Sequence, residues 1–127
     1  MKKLLFICLI IFSSQSFADW KAVSIGKDRV FYVDFDNLRE SDGYIFFWEL
    51  VNLKEAEKFG SDYYKSFKTY KQADCKLFQV RYIQKTSIYS QEFGRGNLIQ
   101  EVEYDGAWLV ATPDSNLEAV LNKVCNL

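Results

Sequence analysis

Runs rich in aromatic and β-branched residues, broken by polar turns, predict strands along most of this chain, and near its end the apolar spacing becomes helical. Asp19 to Ile25 reads as a first strand, with Trp20, Ala22 and Ser24 on one side. Gly26-Lys27-Asp28 turns it into Arg29 to Phe35, where Val30 and Tyr32 alternate with Phe31 and Val33 as a second strand. Asp36 to Arg39 predicts a one-turn cap or 3₁₀ segment. Ser41-Asp42-Gly43 is the strongest short hairpin signal, because glycine accepts the positive φ that a tight turn needs.

Tyr44 to Leu53 is the most apolar run and predicts a central strand covered on both faces. Glu49 and Asn52 interrupt it. Glu49 reads as a carboxylate at a strand edge facing a lysine or arginine, the alternative being an acid in a pocket. Lys54 to Asp62, with Gly60-Ser61, reads as a polar connection. Tyr63 to Ala73 sets aromatics at Tyr64, Phe67 and Tyr70 between lysines at Lys65, Lys68 and Lys71. That period of three fits neither template, and the segment is assigned to a strand because it runs into Cys75. Leu77 to Tyr89 reads as one long strand, Gln91 to Asn97 as a loop around Gly94-Arg95-Gly96, and Leu98 to Tyr104 as a further strand or extended segment. Asp105-Gly106 then turns into Ala107 to Ala111.

Pro113 ends the extended part. Ser115 and Glu118 form an S-x-x-E capping box, and Leu117, Val120, Leu121 and Val124 follow at i, i+3, i+4 and i+7. This predicts an amphipathic terminal helix with Cys125 beside Leu121 on the buried face.

The first residues change the picture. Met1-Lys2-Lys3, the apolar run Leu4 to Phe12 and the small residues ending Ser16-Phe17-Ala18 have the three parts of a secretory leader, with cleavage expected before Asp19. The apolar run makes about 14 Å of helix against a bilayer core of about 30 Å, so it is too short to span. Cys8 lies inside the leader rather than just after the cut, so a soluble exported chain without a lipid anchor is expected. Removing 18 of the 127 residues leaves 109, one domain. The leader holds two of the 16 basic residues and none of the 17 acidic ones, so the remainder carries 14 against 17, a net charge of −3. A mildly acidic domain argues against general nucleic-acid binding.

Export leaves two cysteines, Cys75 and Cys125, and in an oxidising compartment these read as one disulfide. It would close a loop of about 50 residues and tie the terminal helix to the middle of the chain. A metal or redox pair would need CxxC-like spacing or histidine partners, and the chain has no histidine. For the same reason there is no Ser-His-Asp or Cys-His centre and no histidine metal site. Gly94-x-Gly96 is too short for a nucleotide loop. Asp34 and Asp36 would share a strand face as paired carboxylates or a weak calcium site, with a solvated strand end as the favoured reading. No enzyme activity, cofactor or metal is expected.

The motifs in their order resemble the surface-adhesin protein E family of exported bacterial proteins. They are Tyr32-Val33-Asp34-Phe35-Asp36-x-x-Arg39, Asp42-Gly43-Tyr44, Trp48-x-Leu50, Asp74-Cys75-Lys76-Leu77-Phe78 with Arg81-Tyr82, Gly94-Arg95-Gly96, Trp108, Pro113-x-Ser115 and Val124-Cys125. The resemblance implies an α+β fold, an antiparallel sheet of about six strands with the C-terminal helix packed on it and tethered by the cysteine pair. It also implies a small binding protein for host matrix or serum proteins, with a potential for homodimers.

The candidate partner-binding residues are Tyr63, Tyr64, Lys65, Phe67, Lys68, Tyr70 and Lys71, because interleaved aromatics and cations anchor protein partners. The competing reading of that stretch is core aromatics with a solvated lysine face. The alternative function is a periplasmic structural or accessory protein with no adhesive role.

Overall fold

The computed structural model describes residues 19–127, and the expected leader lies outside them. The chain forms β1 (Trp20–Ile25), β2 (Arg29–Asp34), a 3₁₀ turn (Phe35–Asn37), β3 (Arg39–Ser41), β4 (Tyr44–Phe59) and β5 (Asp62–Asp74). β6 (Gln79–Tyr82), β7 (Thr86–Tyr89), a second 3₁₀ turn (Glu92–Gly94), β8 (Leu98–Val102), β9 (Leu109–Val110) and the helix α1 (Asn116–Cys125) follow. All strands pair antiparallel in one sheet, in the order β1-β2-β4-β5-β6-β9. β3 shares an edge of β4 with β2, and β7 shares an edge of β5 with β6 and carries β8 outside it. The α+β class, the antiparallel sheet and the tethered terminal helix are as expected from the sequence.

The strand count is nine among the described residues, above the expected six. The long strand read over Leu77 to Tyr89 is two strands. Lys71 pairs with Tyr82 and Lys68 with Ser87, so two extra residues bulge out around Ile83–Lys85. An even insertion preserves the alternation of faces, and Val80, Thr86 and Ile88 all stay buried. The connection read over Lys54 to Asp62 is mostly strand. β4 continues to Phe59 past a register shift between Asn52 and Glu57, leaving only Gly60-Ser61 to turn. Its polarity marks a hairpin reaching beyond the core into solvent. At the β3–β4 hairpin Asp42 and Gly43 both have positive φ, 54° and 81°, the primed turn whose twist matches the strands.

The core lies between the sheet and α1. Val120, Leu121 and Val124 pack on Val33, Ile45, Phe47, Ala73 and Val80, with Leu117 at the margin. Ser115 caps the helix, its Oγ accepting the Glu118 N–H at 3.1 Å. The Glu118 carboxylate reaches the Asp114 N–H at 3.4 Å, one residue before the cap, so the box is closed loosely. The Cys75–Cys125 disulfide joins the end of β5 to the last turn of α1, with Cα atoms 5.6 Å apart.

Candidate functional site

Strand alternation divides the sheet into a face under α1 and a face without a helix. On β4, Ile45 and Phe47 are buried towards the helix, whereas Tyr44, Phe46 and Trp48 are half-exposed on the other side. The expectation of a strand covered on both faces therefore holds from Leu50 to Leu53 and fails at Tyr44, Phe46 and Trp48. The lower part of the helix-free face is covered by the loop around Gly94-Arg95-Gly96. Phe93 packs edge-on against Tyr32 at 5.2 Å and its N–H donates to Asn52 Oδ1 at 2.8 Å, which accounts for the polar Asn52. Ser66 Oγ donates to the Gln91 carbonyl and accepts the Gly94 N–H at 2.9 Å. Gly96 has φ 79°, and a Cβ there would run into Ser90 Oγ, so this Gly-x-Gly serves loop closure.

What the loop leaves open is an array of aromatics and cations. Trp48 lies directly opposite Tyr70 with ring centroids 4.9 Å apart, and Tyr70 continues to Phe46 at 6.2 Å. Arg39 stands over Phe46 at 5.1 Å. Tyr44 stacks on Trp108 at 6.0 Å, and Arg81 stands over the same indole at 4.8 Å while its Nε donates to Gln72 Oε1 at 2.7 Å. These pairs fix the rings by cross-strand register, so the surface is preorganised. Towards β1 the array ends in a cleft of about 270 Å³ lined by Trp20, Asp34, Asn37, Trp48 and Lys68.

The seven residues singled out in the sequence do not share one surface. Lys68 and Tyr70 belong to the helix-free face, Lys68 with its ammonium 5.2 Å from the Tyr89 ring centroid. Phe67 and Lys71 point to the helix side, opposite Val51 and Phe47. Tyr63 is exposed at the far hairpin beneath Lys58, while Tyr64 donates its hydroxyl to Glu57 at 3.0 Å. Burial and then the hydrogen bond and charge of Glu57 push the Tyr64 hydroxyl above its ordinary pKa. Lys65 donates to the carbonyls of Leu53 and Lys54 and pairs with Glu92 at 3.6 Å.

Lys71 is almost fully buried and paired with Glu49 at 2.8 Å. Glu49 does face a lysine, as expected, but at the sheet centre rather than at an edge. Tyr82 lies over the ammonium at 5.0 Å and Tyr104 stacks on Tyr82 at 4.7 Å. Burial acts to lower the Lys71 pKa, and the Glu49 carboxylate with the Tyr82 oxygen outweighs it and leaves it above the ordinary lysine value.

Asp34 and Asp36 part company. β2 ends at Asp34, and the 3₁₀ turn carries Asp36 out to solvent. Asp34 is 2% exposed rather than at a solvated strand end. No group of three or more metal-ligating side chains occurs among the described residues. The tryptophan and arginine contacts of the open face went unread in the sequence. Their signal was the restriction of Tyr44, Phe46 and Trp48 to large aromatics, while the alternate positions hold Ile45, Phe47 and Glu49.

Comparison with known proteins agrees with this architecture. Two crystal forms of Haemophilus influenzae protein E superpose with TM-scores of 0.62 and 0.63 at 18% identity, covering 82% of this chain and 88% and 91% of theirs. Protein E from non-typeable Haemophilus influenzae gives 0.62 at 20% identity, over 83% of this chain and 75% of that one. At such identities the likeness is one of fold. No curated protein sequence matches the chain. The sequence profile described as surface-adhesin protein E matches residues 20–126, nearly all that is described, and the chain belongs to the surface-adhesin protein E family.

Proposed function

We propose that this chain is an exported adhesin-like binding protein that engages a host or extracellular matrix protein through the helix-free face of its sheet. The observation that carries the reading is the half-exposed array of Tyr44, Phe46, Trp48, Tyr70 and Trp108 with Arg39 and Arg81 stacked on it. Tryptophan, tyrosine and arginine dominate the energetic centres of protein interfaces, because they bury large area at small entropic cost and retain a polar handle. Membership of a surface-adhesin family supports the same class of function. Among the described residues no helix is long and apolar enough to cross a membrane.

Export is part of this reading, with the leader cut between Ala18 and Asp19 and the mature chain displayed at the cell surface. Protease shaving of intact cells tests display, and capture on immobilised matrix and serum proteins at physiological salt tests binding. The reading expects digestion without opening the outer membrane and saturable capture of at least one such protein. Protection until that membrane is opened, together with no capture at micromolar protein, would instead favour a periplasmic accessory role.

A further inference from the structure

Four side chains stand next to one another across four strands of the helix-free face. Trp20 pairs with Asp34, and Trp48 pairs with Tyr70. One step beyond its last pair, Val33 with Glu49, the β2–β4 register sets Asp34 beside Trp48. Asp34 thus has a tryptophan on the neighbouring strand at either side, with the strand backbones ~4.8 Å apart. Asn37 Nδ2 donates to its Oδ2 at 2.7 Å. Among the described residues, Asp34 Oδ1 is the one buried side-chain oxygen or nitrogen left without a hydrogen bond. Native structures keep few such acceptors, because their desolvation is not offset. Asp34 is one of the residues that line the cleft between the two indoles.

We propose that the cleft binds the ring of a neutral sugar. The polar lining offers a carboxylate acceptor in Asp34, a donor and an acceptor in Asn37 and a donor in Lys68. Hydroxyls on adjacent ring carbons, each both donor and acceptor, match that set. The charges of Asp34 and Lys68 cancel, so the cleft has no net demand for an ion. An alkylammonium would meet Lys68, and a carboxylate or sulfate would meet Asp34. The C–H face of a pyranose is apolar and packs on an indole, and Trp48 is backed on one side by Tyr70. A volume of about 270 Å³ accommodates one ring rather than an extended ligand.

This inference rests on the proposed function only in placing the site on the binding face. Its test uses no protein partner, so it can fail while protein adhesion stands, and the reverse. The probes are the methyl glycosides of glucose, galactose, mannose and N-acetylglucosamine, with n-butylammonium as the cationic competitor. They are titrated into the exported protein while the three indole N–H signals are followed by NMR. At least one glycoside is expected to move Trp20 and Trp48 saturably and leave Trp108, at the other end of the face, in place. Asp34→Asn, which keeps the shape and removes the charge, should weaken binding about tenfold, the loss of one charge-assisted hydrogen bond. Lys68→Met should weaken it too. No movement with any glycoside, or equal movement of Trp108, would overturn the proposal. So would binding of n-butylammonium that strengthens in Lys68→Met, since that would make the cleft a cation site.

Discussion

Removing Lys71 alone should unsettle this fold more than removing the ion pair to which it belongs. Lys71 Nζ lies 2.8 Å from Glu49 Oε1, with side chains 9% and 4% exposed. At that separation and an effective dielectric constant of about 20, the attraction is about 6 kcal/mol. Stripping water from both groups costs several kcal/mol per ion, so the pair is close to neutral in net stability. Lys71→Met leaves the Glu49 carboxylate buried and uncompensated, an expected cost of about 3–5 kcal/mol. For a domain with about 5–15 kcal/mol of stability that is a large share. The double variant Glu49→Leu, Lys71→Met keeps the volume and removes both charges, and should fall within about 1 kcal/mol of the parent or above it.

Urea unfolding of the exported protein, disulfide intact, reads both effects. With a slope of about 1.5 kcal/mol per molar urea, Lys71→Met should lower the midpoint by roughly 2–3 M at unchanged slope. A loss below about 1 kcal/mol for Lys71→Met would refute the reasoning, because it would mean that water reaches the pair. Additive single-variant effects in the cycle would refute it as well.

Two further predictions concern the tether and alkaline pH. Cys75→Ser and Cys125→Ser should each cost about 2–5 kcal/mol, and the double variant should be no worse, since all three open the same loop. Free-thiol counting on the unreduced, denatured exported protein should find none, and two thiols per chain would contradict the pairing. Lys71 and Tyr64 both hold their protons more tightly than the ordinary values of 10.5 and 10.0. Groups with raised folded-state pKa contribute stability that is complete below their unfolded values and is lost as pH rises through the folded ones. Midpoints should therefore hold up to about pH 9 and fall above about pH 10. In the Glu49→Leu, Lys71→Met variant the fall should be shallower, and an equal fall would count against Lys71 as a source.

The parts of this fold governed by local chemistry were legible in the sequence. The Ser115 cap, the face Val120-Leu121-Val124, the Asp42-Gly43 turn and the cysteine pair each depend on a few neighbouring residues or on counting. The misread parts depend on the partner strand. Leu77 to Tyr89 has continuous β-propensity, and only its register against β5 shows the bulge at Ile83–Lys85. Lys54 to Asp62 reads as a loop because it is polar, yet the pairing of Glu57–Phe59 with Asp62–Tyr64 extends both strands into it.

The site followed the same rule. A spacing of three between Tyr64 and Lys71 suggested one patch, but the strand period of two sends Lys68 and Tyr70 to one face and Phe67 and Lys71 to the other. Trp108, Arg81 and Trp20 converge on that face from distant parts of the chain, through pairings that no local window contains.

The central claim is that the helix-free face is the binding surface. Its most direct test measures the affinity of the exported protein for a captured matrix or serum protein after charge reversal on either side of the sheet. Arg39→Glu and Arg81→Glu alter the cations of the aromatic array, and Lys123→Glu alters an exposed position on α1. At unchanged melting temperature, the two arginine variants should each weaken binding about tenfold or more, a loss of at least about 1.4 kcal/mol, and Lys123→Glu should leave it unchanged. Binding that survives both arginine reversals and is lost in Lys123→Glu would contradict the account and move the partner to the helix side.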